Sequence, residues 1–422
     1  MSEIVDKNPT PESINVAASS VEAPSYTQKR SFGQLLRGDL GFLPVLITFI
    51  AIAVYFEIAS NGLFLTPGNL SNLLQQIIAI GVDSLAVTLV LLLGEIDLSV
   101  AVVSTLCAVI MGVLAERLHV PPALAIVIGI LAGGLVGAIN GFFIAFLRIP
   151  SFIVTLAASI AYSGLLLRFL GGQETLIISN PFLLSLAGNF LPDVLGVGLP
   201  TLVVILYAAS IIWEQVQRRR TGLKTKPLTQ VILQIGLVVV LVEGVVAILE
   251  NTPSPTPGIY LGVPNAAAIL FGLILLVWLV LTKTRFGRYV YAVGGNAEAA
   301  RRAGINVVFI RIAVFTLCSA LAAVGGILAA SYADSVASAV SSTLLLSAIA
   351  AAVIGGVSLF GGKGSVWSIV LGSLIIGSLV NGLALKSQGA DVLEMVQGAV
   401  LLLAVTIDAV IRRIQAASKS GR

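Results

Sequence analysis

Asp83, Glu95, Asp97 and Glu243 are carboxylates in or beside long apolar runs. Acidic groups are costly in a membrane, so each marks an ion path, a gate or a capped break. Glu95 and Asp97 fall in Gly94-Glu95-Ile96-Asp97-Leu98-Ser99, where Gly94 is expected to end a helix. Two readings stay open there. Asp97 caps the next helix and both carboxylates are hydrated, or the pair belongs to a translocation pathway or gate. Asn140 and Asn381 are amides on apolar runs, able to bond a solute hydroxyl or a neighbouring helix; helix packing is the favoured reading. Asp83 and Glu243 are expected at helix interfaces or a water-filled cavity, with no assignable basic partner. Cys107 and Cys318 read as small buried side chains. With them and the single His119, a His/Cys metal site lacks donors. The glycine-rich Gly355–Gly364 stretch fails the phosphate-loop pattern, because Gly364 follows Lys363 where Ser or Thr is needed. The chain therefore carries no recognisable ATP-binding motif. It also has no paired His or Cys and no nucleophile–base arrangement, which argues against an enzyme.

The most informative segment is Arg285–Asn306, polar and basic between two apolar runs. Its spacing predicts a short helix from about Asn296 to Ala303. Glu298 stands in the first turn and Arg301 and Arg302 toward the end, both favourable to the helix dipole. Gly304 suits a left-handed C-terminus. Ala299, Ala300 and Ala303 are small residues that a partner could approach. An ordinary capped interfacial helix would look the same, so spacing alone leaves both readings open.

These residues must be positioned by helices in lipid. The 422-residue chain is 57% hydrophobic and 10% charged, with mean hydropathy +1.04. Soluble domains carry about 25% charged residues. Apolar runs long enough to cross a bilayer recur. The fold class is therefore all-α: a polytopic transmembrane bundle of about 10–12 spans. Continuous rather than alternating runs disfavour a β-barrel. Expected spans are 41–60, 72–93, 98–115, 123–146, 152–170, 199–213, 230–250, 264–282, 310–330, 344–360, 366–385 and 392–410. The span at 199–213 is short, and 344–360 reads as broken or re-entrant. Residues 1–38 read as a disordered cytoplasmic tail, 39–413 as the membrane domain and 414–422 as a second tail. No signal peptide is expected before the first run. Placing the N-terminus inside leaves only Arg117, Arg168 and Lys386 outside, out of 24 Lys and Arg. That asymmetry supports cytoplasmic termini and puts Arg285–Asn306 in the cytoplasm. It also accounts for the net charge of +4 without nucleic acid. Residues 199–250 read as an inserted hairpin, followed by a loop with Pro253, Pro255 and Pro257 that ends helices. Gly137, Asn140 and Gly141 echo Gly377, Asn381 and Gly382, which raises the hypothesis of an internal pseudo-repeat.

With these residues in view, the chain resembles the permease subunits of bacterial monosaccharide ABC importers. These are the ribose, xylose and arabinose group of the branched-chain amino-acid/sugar permease family. The resemblance rests on GEIDLSV (Gly94–Val100), PSFIVTL (Pro150–Leu156), Thr284–Asn306 and GGVSLFGGKGSVWSIVLGSLIIGSLVNGLAL (Gly355–Leu385), and covers about residues 40–410. The family more often has G-G-x-D-L-S-V-G at the first motif; here Glu95 and Ala101 replace glycines. The extra hydrophobic segment and Pro-Thr-Pro loop are most similar to D-xylose permeases. The resemblance implies a homodimer in the bacterial inner membrane, an ABC ATPase subunit that uses the ATP, and an extracytoplasmic sugar-binding protein. The permease itself would bind no cofactor. Glu298-Ala299-Ala300 followed by Gly304 resembles the "EAA" coupling loop of such permeases. It assigns ATPase coupling to Asn296, Glu298, Ala299, Ala300, Gly304 and Ile305. Glu95, Asp97, Asn140 and Asn381 are the pathway or gating candidates. Ribose, arabinose or another small solute is the alternative cargo. A facilitator or an ion-coupled transporter is the alternative mechanism, in which the buried carboxylates would carry ions.

Overall fold

The computed structural model describes residues 43–420, apart from 224, 226 and 254–260. The predicted N-terminal tail and the prolines at 255 and 257 lie outside the described residues. In chain order the helices are α1 (Leu43–Ala59), α2 (Pro67–Leu92), α3 (Val100–Gly112), α4 (Pro122–Ala145), α5 (Ser151–Leu170), α6 (Pro181–Gly188), α7 (Asp193–Arg220) and α8 (Leu228–Glu250). They continue with α9 (Asn265–Lys283), α10 (Arg285–Gly295), α11 (Ala297–Arg302), α12 (Val307–Ala333), α13 (Ser342–Ile354), α14 (Ser368–Leu385) and α15 (Ala390–Ser420). A π-helical turn, Val113–Arg117, extends α3. Two short strands, β1 (Thr175–Ile177) and β2 (Ser335–Ala337), pair antiparallel.

Among the described residues, nine helices are long and apolar enough to cross a membrane, and two shorter apolar helices cover Val45–Ala59 and Thr343–Ile354. Each expected span finds a helix. The expected short span at 199–213 proves to be part of a 28-residue helix, α7. Its apolar window ends near Glu214, but the helix continues through the Arg218–Glu214 pair at 2.8 Å. The break expected in 344–360 is real: α13 is 13 residues long, and a non-helical segment follows before α14. The last helix runs past the expected 410 boundary to Ser420.

Helix α12 is the central post, packed against α2, α3 and α4. Its most extensive seam is with α4, where Gly129, Gly133, Gly137 and Gly141 recur every fourth residue. A Cβ at Gly137 would stand 2.3 Å from the Phe315 carbonyl oxygen, and one at Gly133 2.6 Å from that of Ser319. Small residues at this spacing let two backbones touch, which is how helices associate where lipid removes the hydrophobic drive. Helix α2 is the most buried of these spans, with 78% of its apolar window inside the bundle. The α7–α8 hairpin is peripheral: only 17% and 11% of those windows are buried. It closes on itself through Gln234 Nε2 donating to Tyr207 Oη at 2.9 Å.

The bundle has two distinguishable ends. At one, Arg117 donates to the Phe169 and Leu170 carbonyls at 3.1 and 2.9 Å, and Glu116 accepts from Ser179 and Asn180. In the chain β1 follows α5 and β2 follows α12. At the other, Lys283 stands 5.5 Å from the Trp278 ring centroid, with Trp367 beside it. Tryptophan and lysine at helix ends are anchors of a membrane–water interface.

Candidate functional site

The site is built at the second end, around α10, α11 and the start of α12. Thr284 caps α10, its hydroxyl accepting from Gly287 N at 3.2 Å, and Val290 and Val293 turn inward. Asn296 caps α11, accepting from Ala299 N at 2.9 Å, and Asn306 caps α12, accepting from Phe309 N at 3.0 Å. Such caps satisfy N–H groups that a helix start would otherwise leave unpaired. Gly304 follows α11 with φ +83°, the left-handed conformation that glycine adopts without strain. Glu298 reaches both Arg301 and Arg302, at 3.2 and 3.3 Å.

Ala299, Ala303 and Gly304 are exposed with Glu298 and Asn296, whereas Ile305 is half-buried. Ala300 differs from the expected contact set. It is 5% exposed and packs in the central core, so it anchors α11 to the permease rather than offering a contact.

This segment is wedged against both glycine breaks. A Cβ on Gly294 would sit 1.8 Å from the Leu92 carbonyl oxygen and 2.8 Å from Gly362 N. That carbonyl accepts from Gly362 N at 2.9 Å. Tyr291 donates to the Gly364 carbonyl at 3.1 Å, and burial pushes its phenol above the usual range. The end of α2, the Gly355–Gly364 loop and α10 therefore meet at one junction.

The first break continues into the bundle as a polar chain. Ser99 donates to Asp97 Oδ1 through its amide at 2.8 Å and its hydroxyl at 2.6 Å. Asn140 donates to Ser99 Oγ at 3.2 Å, and Tyr162 donates to Asn140 Oδ1 at 2.9 Å. Cys318 Sγ approaches Asp97 Oδ2 at 3.9 Å. The Ile96 and Leu98 amides donate to Ser151 Oγ and Thr155 Oγ1, at 3.2 and 3.0 Å. Thus GEIDLSV and PSFIVTL, far apart in the chain, are one hydrogen-bonded unit. Ser151 and Thr155 supply acceptors for part-buried backbone N–H groups of the break. Asp97, 3% exposed, is buried in this network rather than hydrated.

Glu95 has a partner that the sequence did not reveal: Arg311 Nη2 lies 3.1 Å from Glu95 Oε1. Asn381 is remote from this network; it accepts from Asn69 Nδ2 at 2.8 Å and donates to Gln76 at 3.3 Å. Asp83 is buried where α2 meets α12, and a Cβ on Gly325 would stand 2.5 Å from its Oδ1. Glu243 is half-buried on the outer hairpin, and both cysteines are free and buried. Among the described residues no group of three His, Cys, Asp or Glu could hold a metal ion.

A polytopic helical bundle broken at two glycine motifs, with a capped polar helix held at that junction, defines a membrane permease. The chain belongs to the family described as branched-chain amino acid transport system / permease component, which matches residues 69–405. It is 33% identical over 382 residues to the xylose transport system permease protein XylH of Escherichia coli K12, covering 90% of this chain and 95% of the relative. It is 29% identical to the fructose import permease protein FrcC of Rhizobium meliloti, covering 94% and 93%. It is 30% identical to the ribose import permease protein RbsC of E. coli K12, covering 85% and 90%. No solved structure matches the chain.

Proposed function

We propose that this chain is the membrane subunit of an ATP-driven importer that brings a monosaccharide, first D-xylose, into a bacterial cytoplasm. The observation that carries the reading is α11: an exposed, doubly capped helix fixed at its base to both glycine breaks. Motion imposed on such a helix passes directly into α12 and the α2 break. The sugar class is supported by relatives named for xylose, fructose and ribose, and xylose by the identity and coverage of the first.

In this reading two copies of the permease sit in the inner membrane with their termini in the cytoplasm. A sugar-binding protein delivers cargo from outside. An ATPase subunit docks on Asn296, Glu298, Ala299, Ala303, Gly304 and Ile305 and closes on ATP. The permease binds no nucleotide; it converts ATPase closure into exchange between outward- and inward-facing states.

The test is labelled-sugar uptake into proteoliposomes, with internal ATP, ATPase and binding protein omitted in turn. Accumulation against a gradient only with all three supports the reading. Equilibration without ATP or partners would replace it with a facilitator. Accumulation of ribose or fructose but not xylose would keep the mechanism and change the cargo.

A further inference from the structure

Beside α11 lies an open cleft of about 490 Å³, bounded by the α4–α5 turn, the Glu95 break and the first turns of α12. Its charged lining is Glu95, Arg148, Arg301 and Arg311. Glu95 is already committed to Arg311 and Arg301 to Glu298. Arg148 is exposed, with no acidic partner among the described residues. Its backbone is held in place: φ is +59°, and the turn closes through Ile149 N donating to the Phe143 carbonyl at 3.4 Å. Arg311 is incompletely satisfied as well, since its buried Nε–H finds no acceptor. The cleft therefore presents positive charge in excess, on a fixed turn, with one buried donor unused.

On the other side of Asn306 a smaller groove of about 200 Å³ is lined by Phe286, Tyr289, Phe309 and Ile310. The segment from α10 to the start of α12 thus carries a basic cleft and an apolar groove that share Asn306 in their linings. A single rigid partner covering α11 would meet both.

We propose that the basic cleft is a second docking point for the ATPase, receiving an acidic side chain of that partner between Arg148 and Arg311. This rests on the importer reading above. A carboxylate there would pair Arg148 and approach the Arg311 guanidinium that Glu95 already engages, and its approach would be steered by the uncompensated charge. The cleft, about 490 Å³, has room for the backbone and neighbours that an acidic side chain brings with it and a free phosphate-sized anion does not. Because Glu95 shares Arg311, docking would also reach the break after α2.

The experiment uses the full-length permease in nanodiscs and the ATPase polypeptide that supports its ATP-driven uptake. Binding is measured from about 50 to about 500 mM NaCl, a range that shortens the screening length severalfold. Arg148→Glu is expected to weaken binding at least tenfold at low salt, with the gap closing at high salt. Arg148→Lys is expected to bind within about threefold of the parent, since Lys keeps the charge. Unchanged binding by Arg148→Glu overturns the proposal. So does equal, salt-independent weakening in both variants, which would mean a structural role. Inorganic phosphate that protects Arg148 from chemical modification, with ATPase binding indifferent to Arg148→Glu, overturns it in favour of a small-anion site. Wild-type uptake that needs no ATPase removes the importer reading itself. ATP-driven uptake with unaltered binding by Arg148→Glu removes only this inference.

Discussion

Glu95 stands where the family's motif more often has glycine, and the structure gives the substitution a use. Its pair with Arg311 is intermediate in burial, with side chains 16% and 26% exposed. Exposed pairs contribute about 0–1 kcal/mol, and breaking fully buried ones costs about 3–5 kcal/mol. Glu95→Gln should therefore lower stability by about 1–3 kcal/mol, read as a fall in Tm in detergent. Arg311→Gln should lose a similar amount, and the double variant should lose less than the sum. Strict additivity would mean that the two charges are not coupled. Gly294 makes a different demand. Gly294→Ala must displace backbone, because the nearest atom is the Leu92 carbonyl oxygen, whereas nothing lies within 4 Å of a Cβ on Gly295. Gly294→Ala should cost about 1–3 kcal/mol or more and cut uptake. Gly295→Ala should leave both nearly intact. Equal effects at the two sites would remove the wedge as the reason for the glycine.

At the scale of elements, α5 holds the break after α2 by two hydroxyls one turn apart. Thr155→Val keeps shape but leaves the Leu98 amide without an acceptor. The expected cost is about 1–3 kcal/mol. Ser159→Ala, whose hydroxyl only returns to the Leu156 carbonyl of its own helix, should stay within about 0.5 kcal/mol. A Thr155→Val permease as stable as the parent would show that Leu98 finds another partner.

The helices were legible because about twenty apolar residues in a row have few alternatives in lipid. The caps and charge placement of α11 were legible for a similar reason: Asn296, Glu298 and Gly304 act within a few residues of themselves. Three kinds of feature were not. Pairing of Thr175–Ile177 with Ser335–Ala337 rests on three residues a side, too few to form a pattern. The Glu95–Arg311 pair and the Ser151 and Thr155 bonds join distant positions. Only the four-residue spacing of Ser151 and Thr155, which puts both on one helix face, hinted at the second. Helix α10 escaped because its polar, glycine-containing sequence hides an inward face of Val290 and Val293.

Across the whole molecule, the proposed orientation makes opposite ends reachable from opposite sides. Cys107 and Cys318 are buried, so thiol labelling of the parent should be weak. A membrane-impermeant reagent applied to intact cells should label Glu174→Cys, beside β1. It should label Ala303→Cys, after α11, only once the membrane is opened. The reverse pattern would invert the topology and place α11 out of reach of any cytoplasmic ATPase.

The glycine seam between α4 and α12 bears on how such a molecule can move. Where side chains interlock, one helix can shift past another by changing rotamers. Where backbone lies on backbone, as at Gly137 and Phe315, there is no rotamer to change. The seam ties α4 to α12 backbone to backbone, so the two are expected to shift together. Helix α12 is 27 residues long, about 40 Å of rigid rod. A displacement at α11 that tilts this rod would be felt at its far end. Hinges are then expected in the looser, side-chain-lined contacts of the bundle.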